Sequence, residues 1–379
     1  MKSSTTVAVI GSGLGGMTVA GLLQRSGFAV KVFEQAPAFS RIGAGIHLSA
    51  NVMKVMRRLG IETALSDVGL HPDAFVSRKW DTGEILFELP FNAETEARYG
   101  AVYINVHRGD LHTILKSALK TDTVTFGKKL ERVDSSGAEA KLHFADGTEE
   151  EADIVIGADG VNSKVREFVI GTGTARYTGH VAHRAIFPAA LLKGLPIRAC
   201  TKWWGNGNHI LVYYMTQTRE EVYFVSSAPQ KEWNETSSFV TCDRDEFLAV
   251  FNGYHPELRT VIEAAPEVTK WPVFERERVS SWHKSNAVLL GDAAHAMRPY
   301  MAAGAAMAIE DAAILARAIA SDDTKDAAES FALYEANRMP RVNKVQSISE
   351  TNTWFREPVD PTWFFAYDAC AVPLEQPGK

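Results

Sequence analysis

Four glycines in six positions, Gly11-Ser12-Gly13-Leu14-Gly15-Gly16, separate an apolar strand-like stretch, Thr6 to Ile10, from a helix-patterned stretch ending near Ser26. This G-x-G-x-x-G spacing constrains the fold more than any other feature of the chain. At a strand-to-helix turn the absent side chains let the backbone approach a pyrophosphate, while the first N–H groups of the helix face its charge. A second strand, Ala29 to Glu34, completes a βαβ unit. Glu34 stands at its end, eighteen residues after Gly16, where a carboxylate accepts both hydroxyls of an adenosine ribose. Gly11, Gly13, Leu14, Gly16, Glu34 and Gln35 are therefore the expected nucleotide-contacting set. The competing reading gives the glycines only a role in tight helix–strand packing.

Composition narrows the partners. The 379 residues carry 46 acidic and 40 basic side chains, a net charge of -6 with no long basic run, so nucleic acid has no electrostatic footprint here. Cys200, Cys242 and Cys370 are odd in number, far apart and lack C-x-x-C spacing, which fits a reduced, cytoplasmic setting. Lys2 and the apolar stretch Val7 to Leu23 resemble a secretory signal only superficially, because glycines interrupt it and no A-x-A site directly follows. No run reaches the ~18 uninterrupted apolar residues of a membrane span. The eleven histidines show no H-E-x-x-H spacing, and no metal site is expected.

Along the chain, 51–68 has helical spacing, 72–105 reads as short strand-like pieces broken by Pro72, Gly83 and Pro90, and Arg108 to Leu119 reads as a helix. A hairpin turning at Asp146-Gly147 leads into the very apolar strand Ile154 to Ile156. From about 176 to 270 the text is β-rich. A buried strand, Ala287 to Leu290, then precedes Gly291-Asp292 and an alanine-rich helix starting near Gly304 or Ala305, so one nucleotide domain is assembled from separated pieces.

A nicotinamide enzyme and a flavin enzyme share the glycine fingerprint, and two later motifs separate them. Gly157-Ala158-Asp159-Gly160-Val161-Asn162-Ser163 with Arg166 follows one buried strand, and Gly291-Asp292-Ala293-Ala294-His295 follows another. With the N-terminal fingerprint they stand in the order found in the p-hydroxybenzoate hydroxylase-like, group A FAD monooxygenases, which the chain resembles. The resemblance implies an α/β fold: a Rossmann-like FAD-binding domain of the GR2 type interleaved with a β-sheet substrate domain. The implied boundaries are 1–72, 101–175 and 274–345 for the FAD-binding domain, 73–100 and 176–273 for the substrate domain, and 346–379 for an aromatic-rich C-terminal segment. That segment is read as packing or as a homodimer contact. The resemblance also implies that Asp292 bonds the ribityl chain, that Asp159 organises the FAD site, and that Arg41 and Arg108 face the flavin or its phosphates. Pro299 to Gly304 and then Ala305 would bring backbone N–H groups and a helix N-terminus beside the flavin ring. For Asp159 a helix cap or turn role stays open, and for the arginines plain solvent exposure does.

Over nearly the whole chain the text is similar to one branch, the 6-hydroxynicotinate 3-monooxygenases, through residues 33–58, 157–167, 177–185, 200–214, 334–338 and 352–354. That similarity implies NADH-driven, decarboxylating hydroxylation by a flavin C4a-hydroperoxide, with 2,5-dihydroxypyridine as product and a small aromatic or pyridine carboxylate and O2 as partners. His47, Cys200, His209 and Tyr213 match the family's active-site region; His47 also adjoins the cofactor set, while a merely packed histidine stays open for it and a small buried hydrophobe for Cys200. Because side chains alternate along a strand, His209 and Tyr213 should share one face ~13 Å apart, toward opposite ends of a pocket. Where the branch carries a histidine after the proline of the flavin loop, this chain has Tyr300, which leaves 6-hydroxypicolinate and salicylate or another hydroxybenzoate open as substrates. Rival readings are another flavoprotein activity on this fold, a nicotinamide-only dehydrogenase, and a non-catalytic FAD-binding sensor.

Overall fold

A computed structural model describes residues 5–39, 44–135, 137 and 139–378. Its α/β architecture is organised by two large sheets. The first has six strands in the order His283–Lys284, Ala287–Leu289, Ile154–Gly157, Thr6–Ile10, Ala29–Phe33, Val124–Thr125. All neighbours are parallel except the first pair. The near-continuous apolar text of three of the four inner strands, Thr6–Ile10, Ile154–Gly157 and Ala287–Leu289, is what a parallel sheet covered on both faces requires. Ile10, Gly157 and Leu289 end side by side, so the glycine fingerprint, the Asp159 turn and the Asp292 turn emerge at one sheet edge. Ligands of open α/β sheets bind outside the carboxyl ends of the strands.

Gly15, the additional glycine of the fingerprint, serves packing. A Cβ there would lie 2.3 Å from Leu290 Cδ2 and 3.2 Å from Ala308 Cβ, so glycine permits the helices Leu14–Arg25 and Gly304–Ala320 to approach closely.

The second sheet has eight strands, in the order Val240–Thr241, Thr269–Glu275, Arg176–Pro188, Glu221–Pro229, His209–Tyr214, Cys200–Trp204, Ala74–Lys79, Ile85–Pro90. Its two faces belong to different cores. Cys200, Leu211, Tyr213 and Tyr223 face the larger core that includes the six-stranded sheet. Trp203, Ile210, Val212, Tyr214 and Phe224 face a smaller core closed by the helices Arg244–Val250 and Pro256–Ala264.

Local differences from the sequence reading have local causes. The 51–68 stretch forms two helices, Ala50–Arg58 and Glu62–Val68, because the chain turns at Gly60 with φ +72°. The 72–105 stretch contains a helix, Ala93–Tyr99, started by an Asn92/Thr95 capping box and ended by Gly100 in the left-handed region. Two helices also interrupt the β-rich 176–270 region. Among the described residues no helix is long and apolar enough to cross a membrane.

A buried ionic knot anchors the long helices. Arg338 donates to Glu310 and Asp311 at 2.7 Å each, all three side chains being fully buried. Arg341 also binds Glu310. Although burial opposes it, the two guanidiniums hold the Glu310 carboxyl below the ordinary range. Asp311 in turn accepts from the Gly291 N–H at 3.1 Å and contacts His295 Nε2 at 2.5 Å, so the knot fixes the Gly291-Asp292 turn. The tail is drawn in by cations. Lys54 and Arg341 take carbonyls of Ala366, Trp363 and Phe364, while Trp354, Phe355, Phe364 and Phe365 are buried in the larger core.

Candidate active site

The glycine loop has the shape its sequence suggests. Gly11 has φ +100°, and a Cβ there would meet Ala158 O at 2.4 Å; a Cβ on Gly16 would meet Gly11 O at 2.1 Å. Around Gly13 the outer side is open, with nothing within 4 Å. Leu14 is buried behind the loop as the first residue of its helix, which has no acidic residue in its first turn and no side-chain cap. That leaves free N–H groups beside an open approach, as a pyrophosphate requires. Glu34 Oε2 accepts from Ser12 N at 2.9 Å and Ser12 Oγ at 2.8 Å, and Oε1 accepts from Ala36 N at 2.8 Å, which holds the carboxylate at the loop's rim. Gln35 is exposed next to it. Arg41 lies outside the described residues.

Asp159 braces the start of a helix whose N-cap is Ser163. The Asp159 carboxylate accepts from Ser163 Oγ at 2.5 Å and from Lys164 N at 2.7 Å, at the start of Lys164–Val169. Arg166, from the same turn, donates to Ala293 O at 2.8 Å and Ala294 O at 2.9 Å, so the two downstream motifs are stitched directly together. Asp292 is exposed at the start of its turn, with protein packed around it. That enclosure raises its carboxyl, against the charges of His295 and Arg108. Arg108 is likewise an accessible side chain in surrounding protein, and burial lowers its guanidinium from the ordinary value. Pro299 opens a short 3-10 turn, Pro299–Met301, and the long helix then starts at Gly304 and Ala305. A Cβ on Gly304 would come within 4.0 Å of Asp292 Oδ1, and this helix too begins without a side-chain cap or an acidic first turn. Open glycine loop, exposed Asp292 carboxylate and bare helix start together fit the pyrophosphate, ribityl and ring portions of FAD.

The candidate substrate-contacting residues fall into two groups along one face of His209–Tyr214. At one end, Tyr213 lies directly opposite Cys200 across the strand pair, and its ring centroid is 4.2 Å from that of His47. His47 comes from the strand Gly45–Leu48, where Gly45 leaves room for the Tyr213 ring: a Cβ would be 2.6 Å from its hydroxyl. His47 Nδ1 is 2.7 Å from Asn105 Oδ1, and the Asn105 amide nitrogen donates to Tyr214 O at 3.2 Å. That second bond fixes which way the amide points, so His47 Nδ1 carries the hydrogen and Nε2 is an acceptor. Nε2 is buried and has no partner among the described residues. Burial draws His47 down to about 4, keeping it neutral. The Cys200 thiol is pushed up by burial, and Tyr213 well up, so neither ionises near neutral pH.

At the other end, the His209 ring is 5.3 Å from Tyr300 and 5.4 Å from Trp204. His209 Nδ1 lies 3.3 Å from Asn352, a residue of the tail. Burial, reinforced by the Lys202 charge, pulls His209 well below its ordinary value. Ser227 Oγ donates to the Tyr300 hydroxyl at 3.1 Å, and burial raises the Tyr300 phenol.

The sequence reading left out Asn105, Asn352, Ser227 and Lys202. Lys202 was legible by parity alone, since it alternates with Cys200 and Trp204 on a strand whose five residues are all buried.

Comparison with known proteins agrees with this geometry. The family profile described as FAD binding domain matches residues 4–349. The 6-hydroxynicotinate 3-monooxygenase of Bordetella bronchiseptica is 49% identical over 375 residues, covering 99% of this chain and 98% of its own length. The enzyme of that name from Pseudomonas fluorescens is 48% identical over 379 residues, covering 100% and 98%. Among solved structures, Klebsiella pneumoniae HpxO complexed with FAD and uric acid superposes with a TM-score of 0.82 at 25% identity, covering 95% of this chain and 90% of that one. A salicylate hydroxylase substrate complex shares the fold, with a TM-score of 0.81 at 23% identity over 97% and 96%. With its fingerprint and candidate site residues arranged on this fold and matched over its full length, the chain belongs to the FAD-dependent aromatic monooxygenases.

Proposed function

We propose that the protein carries out the decarboxylative hydroxylation of 6-hydroxynicotinate to 2,5-dihydroxypyridine, consuming NADH and O2. The observation that carries this reading is the paired His47 and Tyr213 rings, in a chain whose full-length relatives are named 6-hydroxynicotinate 3-monooxygenase. An electrophilic oxygen attacks a ring best when the ring hydroxyl is losing its proton. His47 Nε2, neutral and without a partner among the described residues, is an acceptor for that hydroxyl hydrogen, with Asn105 holding the tautomer. A phenolate forming beside the imidazole raises its proton affinity, because opposite charges favour one another's ionised forms. Tyr213, its hydroxyl retained as a donor, orients the ring oxygen from the adjacent face.

Bound FAD supplies hydride acceptance from the nicotinamide donor and oxygen activation. In this reading the glycine loop, Glu34, Arg108 and Asp292 hold the cofactor, and the buried pocket walls keep bulk water from the reacting ring. Residues 1–72, 101–175 and 274–345 serve as the cofactor unit, with 73–100 and 176–273 as the substrate unit.

A second reading rests on Tyr300. Its hydroxyl is engaged by Ser227 and its phenol is raised by burial, so it is not an acceptor of protons where the branch has histidine. That difference favours a substrate whose acidic group is placed differently, such as 6-hydroxypicolinate or a hydroxybenzoate. The test is NADH oxidation by the purified yellow protein with 6-hydroxynicotinate, 6-hydroxypicolinate and salicylate in parallel, following ring products and carbon dioxide. Coupled formation of 2,5-dihydroxypyridine and carbon dioxide from 6-hydroxynicotinate is the expected result. NADH oxidation coupled to product only with another acid moves the assignment to that acid, and no stimulation by any of the three overturns it.

A further inference from the structure

Lys202 is 4% exposed and points from Cys200–Trp204 to the side that carries Cys200, Tyr213 and His209. Its register partner is Leu211, midway between the Tyr213 and His209 ends. The ammonium rests 3.8 Å from the Trp204 ring centroid and donates to Tyr300 O at 3.2 Å, on the loop that leads into the Gly304 helix. Among the described buried cations, Arg338 is paired with Glu310 and Asp311, and Lys54 and Arg166 each donate to two or more backbone carbonyls. Lys202 has no ion-pair partner among the described residues, only a ring face and one carbonyl. A buried charge without a counter-ion is strongly unfavourable, and proteins otherwise pair or neutralise such groups. Burial accordingly draws the Lys202 ammonium down to about 7, which leaves it poised between charged and neutral forms.

From this placement we infer that Lys202 is the anion anchor of the substrate pocket: its ammonium pairs with the carboxylate of the aromatic acid and so sets the ring's position between His47 and Tyr300. The missing counter-charge is then brought by the substrate itself. An incoming carboxylate restores the fully charged lysine, because an opposite charge at contact distance favours the ionised form. The Tyr300 carbonyl and the Trp204 ring hold the ammonium in place before the acid arrives, which spares part of the ordering cost of binding. An aromatic carboxylate is thereby selected over its uncharged amide, a discrimination that a merely apolar pocket does not make.

The inference rests on the reading that the substrate is an aromatic acid, and the experiment separates the two. Holoenzyme and a Lys202→Met variant are titrated, following the flavin absorbance, with 6-hydroxynicotinate, with salicylate, and with the uncharged amide of each. The flavin content of both proteins is measured first. Methionine keeps an unbranched apolar stem, one atom shorter than lysine, without the charge. In the variant the acids are expected to bind about 30-fold more weakly or worse, the scale of breaking a buried charge pair. The amides should stay within roughly threefold on the same scale of affinities. An equal loss for acid and amide, or a loss of FAD, assigns Lys202 a packing role and overturns the anchor. An unchanged acid-to-amide ratio overturns it as well. If an Arg184→Met variant instead loses that ratio, the anion is held at Arg184, whose buried Nε also lacks a partner among the described residues. Failure of the wild-type protein to bind either acid refutes the substrate reading and the anchor together, whereas acid binding that survives in Lys202→Met refutes the anchor alone.

Discussion

Lowering the pH from 7 to 5 should destabilise this protein through its walled-in histidines, and His183 allows that effect to be isolated. His183 lies on Arg176–Pro188 but faces the smaller core, 5.2 Å from Phe247 and 6.3 Å from Phe251 between ring centroids. It is 1% exposed, its Nδ1 is 2.9 Å from Ser226 Oγ, and its Nε2 has no partner among the described residues. Burial, aided by the charge of Lys270, draws it down from 6.5 to about 4. The unfolded chain therefore takes up a proton near pH 6.5 that the folded chain refuses until about pH 4. Stability from this group is intact above pH 6.5 and lost progressively as the pH falls toward 4. Between pH 7 and 5 the loss is about 2 kcal/mol, at ~1.36 kcal/mol per unit of pH over the part of the window crossed. With ~2.1 cal/mol/K of unfolding entropy per residue, a chain of this length has on the order of 0.8 kcal/mol/K, so His183 accounts for about 2–3 °C in the thermal midpoint. A His183→Phe variant keeps an aromatic ring against Phe247 and Phe251 and retains the backbone N–H bond to Ser226 Oγ at 3.0 Å. The assay is the thermal midpoint of both holoenzymes at pH 7 and pH 5, at one ionic strength. The variant should lose about 2–3 °C less than wild type on acidification. Equal losses in the two proteins would show that His183 is not a neutral, proton-refusing group and would refute the reasoning.

Three other outcomes are expected. Gly16→Ala should yield protein largely free of flavin, read as the 450 nm to 280 nm absorbance ratio, because the added Cβ would sit 2.1 Å from Gly11 O. Gly45→Ala should keep FAD but lower substrate-stimulated NADH oxidation on the order of tenfold, since overpacking of ~1–3 kcal/mol must displace the buried Tyr213 ring beside His47. Arg338→Met should lower the thermal midpoint by about 4–6 °C, from ~3–5 kcal/mol for breaking a buried ion pair that leaves Glu310 with Arg341 and Asp311 with His295 and the Gly291 N–H.

Much of this was readable from the text, for physical reasons that can be named. A parallel strand buried on both faces must be apolar throughout, and a pyrophosphate loop must be glycine-rich, so the strands ending at Ile10, Gly157 and Leu289 announced themselves. Period-two alternation likewise put His209 and Tyr213 on one face, where the first lies beside Tyr300 and the second beside His47. The helix Ala93–Tyr99 went unread because its start is a side-chain cap, Asn92 with Thr95, inside a stretch whose prolines and glycines suggested strands and turns. Asn105 and Asn352 reach the site from distant segments, and no spacing rule links position 105 to 47, or 352 to 209. Asp159 remains the instructive case. The same Asp-Gly pair serves as a family marker and as a brace for a helix start, and its hydrogen bonds in the structure are those of the brace.

The way the six-stranded sheet is assembled also bears on how the protein is made. Three of its four inner strands come from residues 6–10, 154–157 and 287–289, and each leads directly into one motif of the candidate cofactor site. A ribosome must have synthesised the chain to residue 289 of 379 before the third of these strands exists, and the helix that follows it only later. Flavin capture is therefore a late event in biosynthesis. Until then the apolar edge of Ile154–Gly157 is left without its neighbour, a template for wrong pairing in any nascent or prematurely terminated chain.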